Sequence, residues 1–234
     1  MTGLRGVGQS GVRDFRPNGW QCYAASRSAA SAGAQAHGHM GAFIRTHQAL
    51  LTGTDFFTAE VLTLRGLLTY YVLFFIHLES RRVDIAGITV HPDERWMKQI
   101  ARKATMEGCG VLRDCRYLLH DRDTKFTRSF RAVIASGRIK PLALPARSPN
   151  LNAYAERGVR SVKEECLSKV ILFGERSLRR ALSDYVDHFH AERNHQGKGN
   201  VLLFPQDTDR HREGPVRCLD RLGGLLCYYY REVA

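Results

Sequence analysis

From about residue 42 onward, apolar positions recur at two spacings, one suited to strands and one to helices. Residues 67–78 form the most apolar run, interrupted by Thr69 and His77 and too short to span a bilayer. The run reads as a buried strand. Residues 83–90 follow as a second strand rich in β-branched side chains, joined to the first through Glu79-Ser80-Arg81. Ahead of both, Thr54-Asp55-Phe56-Phe57 and residues 61–64 lead into a turn at Arg65-Gly66, so three antiparallel strands are expected. His91-Pro92-Asp93 opens a helix to about Thr105, with Pro92 in its first turn and Trp96 and Ile100 on one side. A short strand at 117–120, a helix over 124–135 and a strand at 140–144 come next. Two helices close the series. In the first, Ala155, Val159, Val162 and Cys166 form a stripe at helical spacing, and Asn150 or Asn152 can cap it. The second covers 175–192 and aligns Leu178, Leu182, Tyr185 and Phe189. Three strands followed by alternating helices and strands predict an α/β fold, a mixed five-stranded sheet flanked by helices.

The two ends differ from this middle. Residues 1–41 lack apolar periodicity and are rich in Gly, Ala and Ser, which predicts a low-complexity, disordered segment. The core is expected over 42–206, and 207–234 forms a tail in which Leu222-Gly223-Gly224-Leu225 reads as a hairpin turn. Packing of that hairpin on the core is the simpler reading; base stacking on Tyr228 to Tyr230 is the alternative.

Charge narrows the class of partner. Thirty-five Lys and Arg against 23 Asp and Glu give +12, a balance that attracts polyanions such as nucleic acid. The six cysteines include no Cys-x-x-Cys pair, which fits neither a zinc site nor a disulfide framework and suits a reducing compartment.

Three acids then stand out. Asp55 lies within an apolar run, Asp121 ends one, and Glu156 sits on the first closing helix, about one residue's rotation (~100°) from its apolar stripe. Arg160 and Lys163 share the face of Glu156. Alone, that helix is an ordinary amphipathic one with solvated charges; the other two acids change its meaning. With their surroundings, Thr54-Asp55-Phe56-Phe57, His120-Asp121-Arg122-Asp123-Thr124-Lys125-Phe126 and Pro149-Asn150-Leu151-Asn152-Ala153-Tyr154-Ala155-Glu156-Arg157, the sequence resembles the integrase catalytic core of DDE transposases, the retroviral-integrase-like group of insertion-sequence enzymes. Glu192-Arg193-Asn194-His195-Gln196-Gly197 resembles that family's closing element, and the resemblance covers roughly residues 42–205. The helix-turn-helix segment usual in the family ahead of the core is not recognisable here.

The resemblance implies an RNase H-like fold and a metal-dependent DNA strand cleavage and transfer reaction. It implies two Mg²⁺ or Mn²⁺ ions held by Asp55, Asp121 and Glu156, with Asp55 between them. Hard divalent ions take oxygen ligands, and two of them can assist the attacking and leaving oxygens of a phosphodiester. Asp123 competes with Asp121, and the motif favours Asp121. Lys125, Asn152, Arg157, Arg160, Lys163 and His195 are the candidate DNA contacts, while His120 reads as a packed histidine. The implied partners are double-stranded DNA and further copies of the chain, in a bacterial cytoplasmic, DNA-associated setting. Two rival readings are a catalytically idle, truncated DNA-binding remnant and a general RNase H-like nuclease.

Overall fold

The computed structural model describes residues 39–145, 152–205 and 214–231. The segment 1–38, and with it nearly all of the region expected to be low in complexity, lies outside the described residues, as do Pro149 and Asn150. A first helix, α1, is already present at 39–46.

The five-stranded sheet runs in the order β3-β2-β1-β4-β5. β1 (Leu51–Thr63), β2 (Gly66–His77) and β3 (Val83–Thr89) pair antiparallel, while β4 (Tyr117–His120) and β5 (Lys140–Ala143) run parallel to β1. This is the RNase H-like arrangement. β1 is one uninterrupted strand of 13 residues rather than two pieces, because its outer half alternates buried Phe57, Ala59 and Val61 with exposed Thr58, Glu60 and Leu62. β2 corrects the expectation of a wholly buried strand: it is buried from Tyr70 onward, apart from Tyr71 and His77, but residues 66–69 are exposed.

Helices cover both faces. On one face, α2 (Glu94–Ala104) and α3 (Arg128–Ser136) pack Met97, Ile100, Phe130 and Ile134 against Leu73, Phe75 and Leu118. Trp96 is only partly buried, and Met97, Ile100, Ala101 and Ala104 make the buried stripe of α2. Asp93 caps α2 by accepting the Trp96 N–H at 2.7 Å. α3 starts four residues later than its pattern suggests, since Thr127 caps it by accepting the Phe130 N–H while Asp123 to Lys125 form a turn. On the other face, α4 (Ala153–Glu165) and α5 (Gly174–Ala191) seat Ala155, Val162, Leu178, Leu182 and Tyr185 on Phe57, Val61, Val72 and Phe74. Each such large apolar side chain contributes about 1.5–3 kcal/mol by leaving water.

The tail forms a separate two-stranded ribbon, β6 (Val216–Arg221) and β7 (Leu226–Arg231). It is fastened at its turn end: Leu226 is buried in the α4–α5 core, and Arg221 grips Glu192 at 2.6–3.0 Å. No helix among the described residues is long and apolar enough to cross a membrane.

Candidate active site

Register brings the first two acids together. β1 and β4 are parallel neighbours with Gly53 opposite Leu119, so two residues further along each strand stand Asp55 and Asp121. Adjacent strands lie about 4.8 Å apart. Asp55 shares the face of Phe57 and Ala59 toward α4, and Asp121, the first residue after β4, is close enough for its charge to act on Asp55.

Glu156 arrives through a close approach between strand and helix. Asn152, at the N-terminus of α4, is buried, with its side-chain oxygen only 3.3 Å from where a Cβ on Gly53 would lie. A side chain at 53 would crowd the Asn152 side chain, Ile76 and Leu78. One helical turn beyond Asn152, on the same side, comes Glu156; two residues beyond Gly53, on the same side, comes Asp55. Glu156 is exposed, whereas Asp55 and Asp121 are half-buried.

The acids are coupled electrostatically. Burial is the main cause that pushes the Asp55 carboxyl up to about 6, and the charges of Asp121, Glu156 and Asp123 add to it. One hydrogen bond, from the Phe56 N–H at 2.7 Å, works in the opposite direction. Asp121 accepts the Asp123 N–H at 3.0 Å, closing the turn after β4. Asp123 itself is bound to Lys125 (2.7 Å), which with the Lys125 N–H holds its carboxyl below the usual range despite partial burial. Of the two acids that compete after β4, Asp123 is thus already neutralised and Asp121 is not ion-paired within the described residues. The acids converge without forming a finished cage: among the described residues, no three His, Cys, Asp or Glu side chains are placed to hold an ion.

The candidate DNA contacts separate into two groups. Arg157, Arg160 and Lys163 are exposed along α4, and Arg157 also bonds the Ala153 carbonyl at 3.1 Å. Lys125 is tied to Asp123 and lies over the rings of Phe56 and Tyr71 at about 5.5 Å. Asn152 and His195 sit apart from both groups. Asn152 is buried, with its side chain against Gly53, while half-buried His195 lines the cleft described below, directs Nε2 at the Phe189 carbonyl (2.7 Å) and sets its ring edge-on to Phe189. His120 is buried against Phe126, and its Nδ1–H donates to the Asp121 carbonyl at 2.6 Å, so burial holds it neutral.

Sequence reasoning passed over Arg81 and the full role of Arg193. Arg81 adopts φ 64° in the β2–β3 turn, and its guanidinium lies 3.3 Å over the ring of Tyr154, two residues before Glu156 on α4. Arg193 binds Glu165 (2.7 Å) and Ser161 (2.5 Å), and Tyr185 donates to the same Ser161, so α4, α5 and the loop after α5 are locked together. Arg81, Arg157, Arg160, Arg193 and Lys198 line one cleft of about 700 Å³ between α4 and that loop, with Glu164 and Glu165 as its acids. The only sequence signal for Arg81 was the paired Arg81-Arg82 in a turn.

A family model described as an integrase core domain matches residues 137–201. Over that segment the chain is similar to an integrase core. The matched segment contains Glu156 and the Arg193 to Gly197 element; Asp55 and Asp121 lie outside it, and their place in the site rests on strand register. Among solved structures, the chain is similar to the HTLV-2 integrase catalytic core domain in complex with magnesium (11% identity, 65% of this chain and 93% of that one, TM-score 0.47). It is also similar to the catalytic core domain of BIV integrase (12%, 64% and 88%, 0.45). A third similarity is to the simian T-cell lymphotropic virus intasome in complex with the PP2A regulatory subunit B56 gamma (11%, 79% and 67%, 0.48). No curated protein matches.

Proposed function

We propose that this integrase-like core is a DDE-type polynucleotidyl transferase, of the kind found in insertion-sequence transposases, that cuts DNA strands and joins 3′-ends to a target. The observation that supports this reading is the gathering of charge on Asp55: Asp121, two residues past the Gly53–Leu119 pair, and Glu156, one helical turn past the Asn152 that lies against Gly53, both act on its carboxyl. An all-carboxylate donor set suits Mg²⁺ or Mn²⁺, hard ions that keep part of their water shell. Burial and, after it, the charges of Asp121, Glu156 and Asp123 raise the Asp55 carboxyl, and a bound cation would offset both. Asp55, Asp121 and Glu156 would hold the metal, which supplies charge neutralisation on the phosphate and help for the entering and departing oxygens.

The remaining residues position the substrate. Arg157 and Arg160 flank the acids along α4, and with Arg81 and Lys198 they give the cleft an excess of positive charge that suits a phosphodiester backbone. Contacts of this kind set the strand's register and carry no base specificity.

One observation favours a second reading, a catalytically idle DNA-binding remnant: the three acids do not stand as a ready-made ligand group. Nicking of supercoiled plasmid in Mn²⁺ or Mg²⁺ separates the two. Cleavage by the wild type that Asp121→Asn abolishes, with a retained gel shift, fits the enzyme. Equal inactivity of both proteins with DNA still bound fits the remnant.

A further inference from the structure

The outer face of the C-terminal ribbon carries a pair of thiols that the acid site does not use. Cys218 and Cys227 are nine residues apart in the chain, a spacing that matches no motif, but the hairpin folds them together. Across the ladder Cys218 stands opposite Tyr229, and Asp220 stands opposite Cys227. Cross-strand partners share a face, so these four residues form one surface, turned away from buried Leu226. All four are exposed, and both cysteines are free. As diagonal neighbours they meet: the Cys218 thiol reaches both the Cys227 thiol and the Tyr229 phenol. Cys227 directs its S–H at the Gly224 carbonyl (3.4 Å), a weak bond that leaves the sulfur lone pairs for another partner.

The diagonal register decides what such a pair can do. A disulfide needs Cα atoms within about 6.8 Å, whereas diagonal residues of a ladder lie roughly 7–8 Å apart. An S–S bond would therefore pull the strands out of register. Two metal–sulfur bonds of about 2.3 Å each span up to ~4.6 Å between the sulfurs and cross the diagonal without that distortion. The donors then select the ion. Thiolates are soft and favour Cu(I), zinc or iron–sulfur clusters, but structural zinc and the clusters call for four ligands. Among the described residues, no third His, Cys, Asp or Glu joins these two. We propose that Cys218 and Cys227 bind a soft cation that accepts two sulfur ligands, of the Cu(I) class, across the ribbon. Each thiol releases a proton to solvent, no oxidation state changes, and the two thiolates with one Cu(I) leave a single negative charge. The ion would fasten an element that gains from it. Two strands alone are marginal in water, and this pair is anchored to the core at its turn end, through Leu226 and Arg221.

Nothing in this pairing depends on the acids, whose oxygens suit hard ions, and the test reads metal retention rather than DNA cleavage. The full chain, reduced and anaerobic, is titrated with Cu(I) against bicinchoninate, a chromophoric Cu(I) chelator. One Cu(I) per chain is expected to be withheld from the chelator. Cys218→Ser and Cys227→Ser should each weaken retention by about 100-fold or more, since loss of a group that only supports a ligand already costs about 10–100-fold. Cys109→Ser and Cys115→Ser, in the loop before β4, should leave retention unchanged. Both ribbon thiols are exposed, so without metal the ribbon variants should melt as the wild type does. Added Cu(I) should raise the melting temperature of the wild type but not of those two variants. No retained Cu(I), or retention that both ribbon substitutions leave intact, overturns the proposal. So does a Cys218–Cys227 disulfide found by peptide mapping after treatment with glutathione disulfide, which would make the pair a redox couple in place of an ion site.

Discussion

The two ends of β1 violate opposite rules. At its start, the strand is paired on both sides, by β2 and by β4, and a helix closes over it; there the fold gathers Asp55, Asp121, Asp123 and Glu156 around a half-buried carboxyl. At its far end β4 has stopped, only β2 and one bridge to Phe173 remain, and leucines stand in water. One end tolerates like charges and the other tolerates exposed hydrocarbon. Between them, Phe57, Ala59, Val61, Val72 and Phe74 form a regular core with no such conflict. Local rules fail where a sequence serves something besides its own folding, and the two failures here differ in kind: like charges drawn together at one end, hydrocarbon left in water at the other.

The comparison can be broken most sharply at the acid end. Asp121→Asn is expected to lower metal-dependent nicking by about 10³-fold or more with DNA affinity retained, read by plasmid relaxation and gel shift. Glu156→Gln should follow the same direction.

Gly53→Val tests whether the helix approach builds the site. Its side chain would meet Asn152, Ile76 and Leu78 within about 3.5 Å. We expect a loss of about 1–3 kcal/mol in denaturant unfolding together with lost nicking, although no acid has been touched. At the tail, Arg221→Ala leaves Glu192 buried without its guanidinium partner and is expected to cost about 1–3 kcal/mol in the same measurement.

Asp55→Asn should do the reverse and stabilise the fold. The Asp55 carboxyl is raised from 3.8 to about 6, so the folded state holds the proton more tightly than the unfolded chain. Its contribution to stability is complete below pH 3.8 and is lost as pH rises through 6. Asn keeps the neutral form at every pH. The variant should therefore gain on the order of 1–2 kcal/mol near pH 7.5, after allowance for partial exposure, and nothing near pH 3.5, as read by melting temperature across pH. The smallest effect is expected on the cleft: Arg157→Ala and Arg160→Ala should each reduce the salt slope of DNA binding by about 0.9.

The amphipathic helices and central strands were readable because burial leaves a period in the sequence. Asp121 was preferred over Asp123 by the motif, since residues two apart on a strand share a face, and the Asp123–Lys125 ion pair gives the physical reason the turn acid is otherwise engaged. What escaped detection was long-range register. Nothing near Gly53 announces that Asn152 will lie against it, and a polar side chain in a motif gives no sign of whether it ends buried, as Asn152 does, or at the edge of a cleft, as His195 does. The leucines at 62–68 misled for a related reason. An apolar run signals removal from water, but not whether its own chain or another supplies the cover.

Arg221 links the last ribbon to the residue immediately before Arg193, and Arg193 in turn holds Glu165 and Ser161 on the helix that carries Glu156. Anchorage therefore passes from the C-terminal ribbon to the rim of the cleft through two guanidinium groups. A protein shortened to end at residue 205 would retain every acid and every arginine of the cleft, yet the wall of that cleft would have lost its outer brace.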